Sequence, residues 1–377
     1  MKNLVILIYF IFIILLKKFL KKKKLNDIYY SKDYEEAKKK IISFNYDKKF
    51  KEIKCNNFTL FIRQSNSNKY IIVSSGLHGN EFITGSAIQC KIMDEINKNE
   101  FTEECPNIII VHCINKYGCI NSDRFNKSNV DLNRNCLKFS IIDEHDNKSY
   151  NKIKNIFNPR LKFFKWIKNI IKYGSNNIHN GLLKGQNENK NNLYYIGRKN
   201  ESEICEFFEV ISKLINDNSI IFHIDIHTGF KGSFKKFCLI QDENKINFLK
   251  ENIFKNTKIN FINLSESDLY KDINGFLTFE NNFIFLLNKY GKKKFLNLKY
   301  HGICQEFSIA NKIKYILVAN LFMKYNRKKI KNKLTKRIKR KILNIYNPDK
   351  YKNFYIKSGY EDFKIIFNYL KDISHKM

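Results

Sequence analysis

Apolar residues in this chain fall into short unbroken runs rather than alternating stripes. Tyr70 to Ser75, Asn107 to Ile114, Ser219 to Ile226 and Ile303 to Phe307 each read as a strand buried on both faces. Gly76 to Gly79 reads as a tight turn after the first of them. Thr84 to Asn97 then carries Ile88, Ile92 and Ile96 on one stripe and reads as a helix, as does the more polar Ser31 to Phe44. Buried strands alternating with helices predict an α/β fold with a largely parallel sheet covered on both faces. No internal repeat is visible.

The pattern divides the chain into four segments. Residues 1–24 form an apolar membrane anchor or signal segment with a basic flank. Residues 25–57 are a polar linker and lead-in. Residues 58–323 form the catalytic-looking domain, and residues 324–377 a basic helical extension. Within the domain, residues 136–190 are the least regular part and are expected to form a long insertion or an elaborated loop over the site.

The N-terminal run, Leu4 to Leu16, reaches only ~20 Å as a helix against ~30 Å of hydrocarbon. Snorkelling by Lys17 and Lys18 and extension through Phe19-Leu20 make spanning feasible. No small-x-small cleavage site follows it, so an uncleaved anchor is preferred to a secretory signal. Lysines at 17, 18 and 21–24 follow the run, against Lys2 before it. The positive-inside rule then places the following domain in the cytoplasm, with the secretory pathway as the alternative.

Composition changes the picture less than its numbers suggest. With 377 residues and 43% hydrophobic residues, the chain can bury a large core and is not a disordered polymer. A net charge of +33 would draw it to acidic surfaces. The excess of Lys, Asn and Ile, with only three Pro, resembles a codon bias, so most lysines are read as solvated surface. The exception is Arg327 to Lys341, with ten basic side chains and Ile330, Leu334, Ile338 and Ile342 on one stripe. Docking on the domain is the first reading of this helix, contact with anionic lipid the second and nucleic acid the last, because no RNA-binding module is evident. Nine scattered cysteines, an odd number without a CxxC pair, argue against a disulfide framework and against a cysteine zinc site.

Three short strings carry chemistry. His78 and Glu81 stand three apart just after the first strand, and His227 follows the third strand in Asp225-Ile226-His227-Thr228-Gly229. All three lie beyond the C-terminal ends of strands, the edge at which open α/β sheets bind ligands. Two imidazoles and a carboxylate can hold zinc and leave a position open for water, whose pKa the ion would lower. Glu306, a carboxylate on an apolar segment, is the candidate general base. Arg124 is the candidate cation for a developing oxyanion. In Val130-Asp131-Leu132-Asn133-Arg134-Asn135, Asn133 and Arg134 could fix a substrate carboxylate, and Asp131 could orient the His78 ring. His223 and His112 are read as core histidines, and His145, His179 and His301 as surface or loop residues.

These strings occur in the order used by zinc carboxypeptidases. A carboxypeptidase-like branch of that superfamily has a pattern resembling SGxHGxEGxxGSAxQ, and Ser75 to Gln89 resembles it. Asn129 to Asn135, Gly185-Gln186 and Asp225 to Gly229 resemble it as well. The resemblance spans about residues 70–310. It implies a mixed eight-stranded sheet between helices, one zinc ion on His78, Glu81 and His227, Glu306 as base, and Arg124, Asn133 and Arg134 as substrate contacts. Phe307-Ser308 stand where the family usually has Gly-Thr after its catalytic Glu, and Ile196-Gly197 where it has Gly-Gly.

The activity this implies is hydrolysis of an amide next to a free carboxylate, most simply by a metallocarboxypeptidase acting on peptides. An N-acyl amino acid deacylase on the same fold is the alternative. From another class, a catalytically inactive, membrane-bound basic adaptor would bind zinc without turnover.

Overall fold

The structure is a computed structural model that describes residues 28–138, 145–157, 163–229, 236–255, 257–266, 275–308, 346 and 351–373. Its elements in chain order begin with α1 (Tyr34–Ser43), β1 (Lys51–Lys54), β2 (Thr59–Arg63), β3 (Lys69–Ser75), α2 (Phe82–Lys98), β4 (Asn107–His112) and α3 (Lys116–Asn121). Three helices of the expected insertion follow: α4 (Lys148–Ile153), α5 (Phe163–Tyr173) and α6 (Ser175–Lys184). The remainder is α7 (Ser202–Leu214), β5 (Ile220–Gly229), β6 (Lys236–Ile240), α8 (Glu243–Phe248), β7 (Phe261–Asn263), α9 (Glu280–Gly291), β8 (Lys299–Ser308) and α10 (Lys352–Ile373).

One mixed sheet of eight strands runs in the order β1-β2-β4-β3-β5-β8-β6-β7. The central four, β4-β3-β5-β8, are parallel, as their unbroken apolar runs predict. Antiparallel pairing of β2 with β4 and of β6 with β8 makes the sheet mixed. The mixed eight-stranded sheet expected from the resemblance is therefore present.

Alternation splits the core in two. Ile71, Val73, Phe222 and Ile224 face α2 and α10, whose Ile88, Phe363 and Ile366 close that side. Tyr70, Ile72 and Ile221 face α7 and α9, meeting Phe207, Phe208 and Phe283. Each of these fully buried side chains contributes about 1.5–3 kcal/mol relative to exposure, which no single surface contact matches. The column His223, Asp225, His227 lies on the α7–α9 side, alternating with Phe222, Ile224 and Ile226.

Several parts differ from the sequence reading. Residues 25–57, expected as a linker and lead-in with a helix over Ser31 to Phe44, hold that helix as α1, whose Ala37 and Ile41 are fully buried, and add the unexpected β1, which pairs with β2 at the sheet edge. The last segment includes α10, an integral cover of the sheet rather than an appendage. Lys69 Nζ donates to Leu370 O at 2.8 Å, and Gln305 Nε2 donates to Asp362 Oδ2 at 2.5 Å. The nine cysteines are free thiols, seven of them buried. The expected anchor Leu4 to Leu16 and the basic run Arg327 to Lys341 lie outside the described residues. Among those described, no helix is long and apolar enough to cross a membrane.

Candidate metal centre

β3 ends in a turn at Gly76, whose φ of +66° is left-handed and open to glycine at little cost. His78 is extended (φ −90°, ψ 113°), and a single 3₁₀ turn, Gly79–Glu81, then leads into α2. That turn brings the side chains three apart to one side. His78 Nδ1 lies 3.1 Å from Glu81 Oε1. From β5, His227 Nδ1 lies 3.2 Å from Glu81 Oε2 and 3.1 Å from His78 Nδ1. One donor atom from each of these three buried residues lies within 4.8 Å of the others.

The outward nitrogens are also occupied. His78 Nε2 meets Asp131 Oδ1 at 3.1 Å, and His227 Nε2 meets Asp225 Oδ2 at 2.6 Å. Each imidazole is thus held by a carboxylate behind it while its Nδ1 turns to the common point, the arrangement that orients histidine ligands around a metal. Asp131, expected to orient the His78 ring, is the carboxylate that meets its Nε2. Asp225 was overlooked, although two-residue alternation along β5 puts it on the same face as His227. Asp225 is itself anchored by Ser74, whose hydroxyl donates to Oδ1 at 2.6 Å. Glu81 also accepts the Thr228 N–H at 3.0 Å.

The charges are strongly biased. Burial disfavours ionised Asp131, but Arg124, His78 and Arg134 outweigh it and hold the carboxyl well below the usual range. Burial likewise opposes a charge on His227, yet Asp225 and Glu81 raise its pKa well above that of a free imidazole. Two imidazole nitrogens and a carboxylate oxygen converging at this distance are a donor set that zinc takes, so the residues present fit that ion.

Glu306 stands on β8 directly opposite His227 in the parallel register. Its Oε2 is enclosed and has no hydrogen-bond partner. Burial first, with the Glu81 and Asp225 carboxylates adding, pushes its pKa up to about 7, against the opposing pull of His227 and Arg124. Gly229 makes the space for this carboxylate: a Cβ there would come within 2.4 Å of Glu306 Oε2.

Arg124 faces the metal ligands. Its Nε donates to Asp131 Oδ2 and its Nη1 to Glu81 Oε1, both at 3.1 Å, and its guanidinium lies 4.9 Å from the Tyr194 ring centre. Arg134 is fixed by donation from Nε to Leu183 O and from Nη1 to Asn133 O, each 2.9 Å, over the Phe276 ring. Asn133 Oδ1 accepts the Leu277 N–H at 3.3 Å. Of the sequence-predicted site residues, all but His227 and Asp131 line one small cavity of about 40 Å³, shared with His179, Leu183 and Phe276.

His179 corrects the sequence reading of a surface or loop residue: it is buried at 3% exposure on α6, part of the insertion expected to cover the site. Only the packing of α6 could reveal this, since no spacing ties His179 to the motifs. His301 is likewise no loop residue; it lies on β8 between the Phe222 and Phe248 rings, 4.6 and 4.7 Å from their centres. His145 is half-buried against Gly185 O at 3.4 Å. His223 and His112 are core residues, bonded to Ser74 at 2.8 Å and to Ser86 at 2.9 Å.

No curated protein matches the chain. Among solved structures, it is similar to bovine thrombin-activatable fibrinolysis inhibitor, in complex with a tick carboxypeptidase inhibitor. The identity is 15%, the TM-score 0.40, and 88% of this chain and all of that chain are covered. A second structure of thrombin-activatable fibrinolysis inhibitor gives 13% identity and a TM-score of 0.42, covering 90% of this chain and 80% of the other. A succinylglutamate desuccinylase from a Silicibacter species gives 12% identity and a TM-score of 0.28, with 72% and 58% covered. The likenesses are loose and bear on neither activity nor substrate. Residues 30–355 match the family described as "Protein of unknown function (DUF2817)", and the chain belongs to that family.

Proposed function

We propose that this chain is a zinc-dependent hydrolase that cleaves an amide bond next to a free carboxylate, most simply a carboxypeptidase. One observation carries the reading. His78, Glu81 and His227 turn one donor each to a common point, with Glu306 one strand away. Zinc held by these three would acidify a water molecule and polarise the scissile carbonyl.

The protein's own groups supply the rest. Glu306, with a pKa near neutrality, can take a proton from water and return it to the leaving amine. Arg124 stands beside the ligands, where its charge can stabilise a developing oxyanion. In this reading Arg134, which two backbone carbonyls hold, and Asn133 receive the substrate carboxylate.

A second reading is an N-acyl amino acid deacylase on the same fold: the cavity beside the ligands is small, about 40 Å³, and an acyl amino acid is the smaller of the two substrates. The test is to load the purified chain with zinc and offer it C-terminally free peptides, C-terminally blocked peptides and N-acyl amino acids. Turnover of free peptides alone supports the first reading, and turnover of N-acyl amino acids alone the second. Stoichiometric zinc without turnover of any amide would point to an inactive adaptor, and absence of zinc binding removes both readings.

A further inference from the structure

From residue 147 to residue 187 the chain carries nine basic side chains and no acidic one. The described part of this insertion folds as α4, α5 and α6 around its own apolar cluster of Tyr150, Ile153, Trp166, Ile178 and Leu182. Within α5, Trp166, Ile170 and Tyr173 turn toward that cluster. The outer arc of the same helix is unusual for a solvated face. Phe164 and Ile171, seven residues apart and so on one side, are 55% and 77% exposed. Beside them stand Lys165, Lys168 and Lys172, all exposed. Phe164 and Ile171 thus extend the apolar character of α5 onto an exposed strip bordered by cations.

We propose that the outer face of α5 docks on an anionic lipid surface, with Phe164 and Ile171 entering the acyl boundary and Lys165, Lys168 and Lys172 meeting the headgroups. Charge complementarity and exposed apolar side chains together select this partner. Nucleic acid would use the lysines and a stacking ring but gains nothing from Ile171. An interfacial helix needs both apolar and basic components, and this helix has them on adjoining strips. The inference is independent of metal binding and of the hydrolytic reading.

The full chain is the test object. Trp166 is the only tryptophan, so Trp166→Phe combined with Ile171→Trp leaves one probe on the outer face. With vesicles of phosphatidylcholine and phosphatidylserine, its emission shifts to the blue and is quenched by acyl-chain bromines. With phosphatidylcholine alone, neither occurs. Lys165→Gln, Lys168→Gln and Lys172→Gln together weaken this α5 signal's vesicle affinity about a hundredfold, at roughly fivefold per lysine. A probe that stays in water on both vesicle types overturns the proposal, even where the chain floats with the vesicles through another segment. A blue shift with RNA but not with anionic vesicles overturns it equally. If Trp166→Phe does not fold, Ile171→Trp in the native background, read as the difference from wild type, gives the same decision.

Discussion

Glu306 lies directly across the β5–β8 pairing from His227, with its Oε2 enclosed and unbonded. An enclosed carboxylate oxygen without a partner costs stability, so Glu306 is not there for the fold's sake. Glu306→Gln removes the base while keeping shape and volume. Zinc content is expected to remain stoichiometric while kcat falls by about 10²–10⁴-fold. Metal analysis beside single-turnover hydrolysis separates these effects; equal loss of both would make Glu306 a structural group.

Gly229→Ala tests the same relationship from the other side. The added Cβ would stand 2.4 Å from Glu306 Oε2, so the carboxylate must move. A displacement on the ångström scale is expected to lower kcat about a hundredfold with zinc affinity little changed. Titration with zinc and steady-state kinetics on the same preparation check this.

Metal binding is expected to release a proton. His227, whose pKa is raised well above the ordinary value by Asp225 and Glu81, holds a proton that a metal ion must displace. Zinc affinity therefore falls as pH drops, by up to about tenfold per pH unit for one proton. Calorimetry in buffers of different ionisation enthalpy counts the proton directly. Asp225→Asn, which weakens the partner behind His227, is expected to lower zinc affinity about 10–100-fold.

Arg124 holds two opposing roles apart. Its guanidinium touches Glu81 and Asp131, so it competes electrostatically with a metal ion for the same negative charge. A unit charge at such a distance is worth up to ~4 kcal/mol at an effective dielectric near 20. Arg124→Gln is expected to tighten zinc binding while slowing hydrolysis. Loss of both together would show that the side chain mainly supports the fold.

Acid should destabilise the core before it protonates ordinary carboxylates. Burial lowers the pKa of His223 from 6.5 to about 4. In that window the unfolded chain binds a proton at this position that the folded chain refuses, so stability rises with pH. The contribution is present above 6.5 and disappears as pH falls toward 4, amounting to about 3 kcal/mol. Urea unfolding at pH 7, 6 and 5 should show the loss, and His223→Gln should flatten it.

The motifs were legible because each sits where backbone geometry leaves little choice. His78 and Glu81 share one short turn, and Asp131 caps its own turn by accepting the Asn133 N–H at 3.1 Å. The central strands were legible because full burial demands unbroken apolar runs. β1, Lys-Glu-Ile-Lys at the sheet edge, is mostly exposed and so carries no such run. His179 and the outer face of α5 were illegible for a different reason. Their positions depend on how the insertion's helices pack, which no local pattern states.

Lys69 and Leu370 meet across 301 residues of sequence. On the sheet face with Ile71, Val73 and Phe222, the part that α2 does not cover stays open to water until residues 352–373 have been synthesised and have returned to it. Contacts this distant close slowly, because the loop entropy is lost before any burial compensates. A growing chain must therefore shelter that face for most of its synthesis. A truncation before α10 would present as an aggregation defect long before any effect on chemistry could be measured.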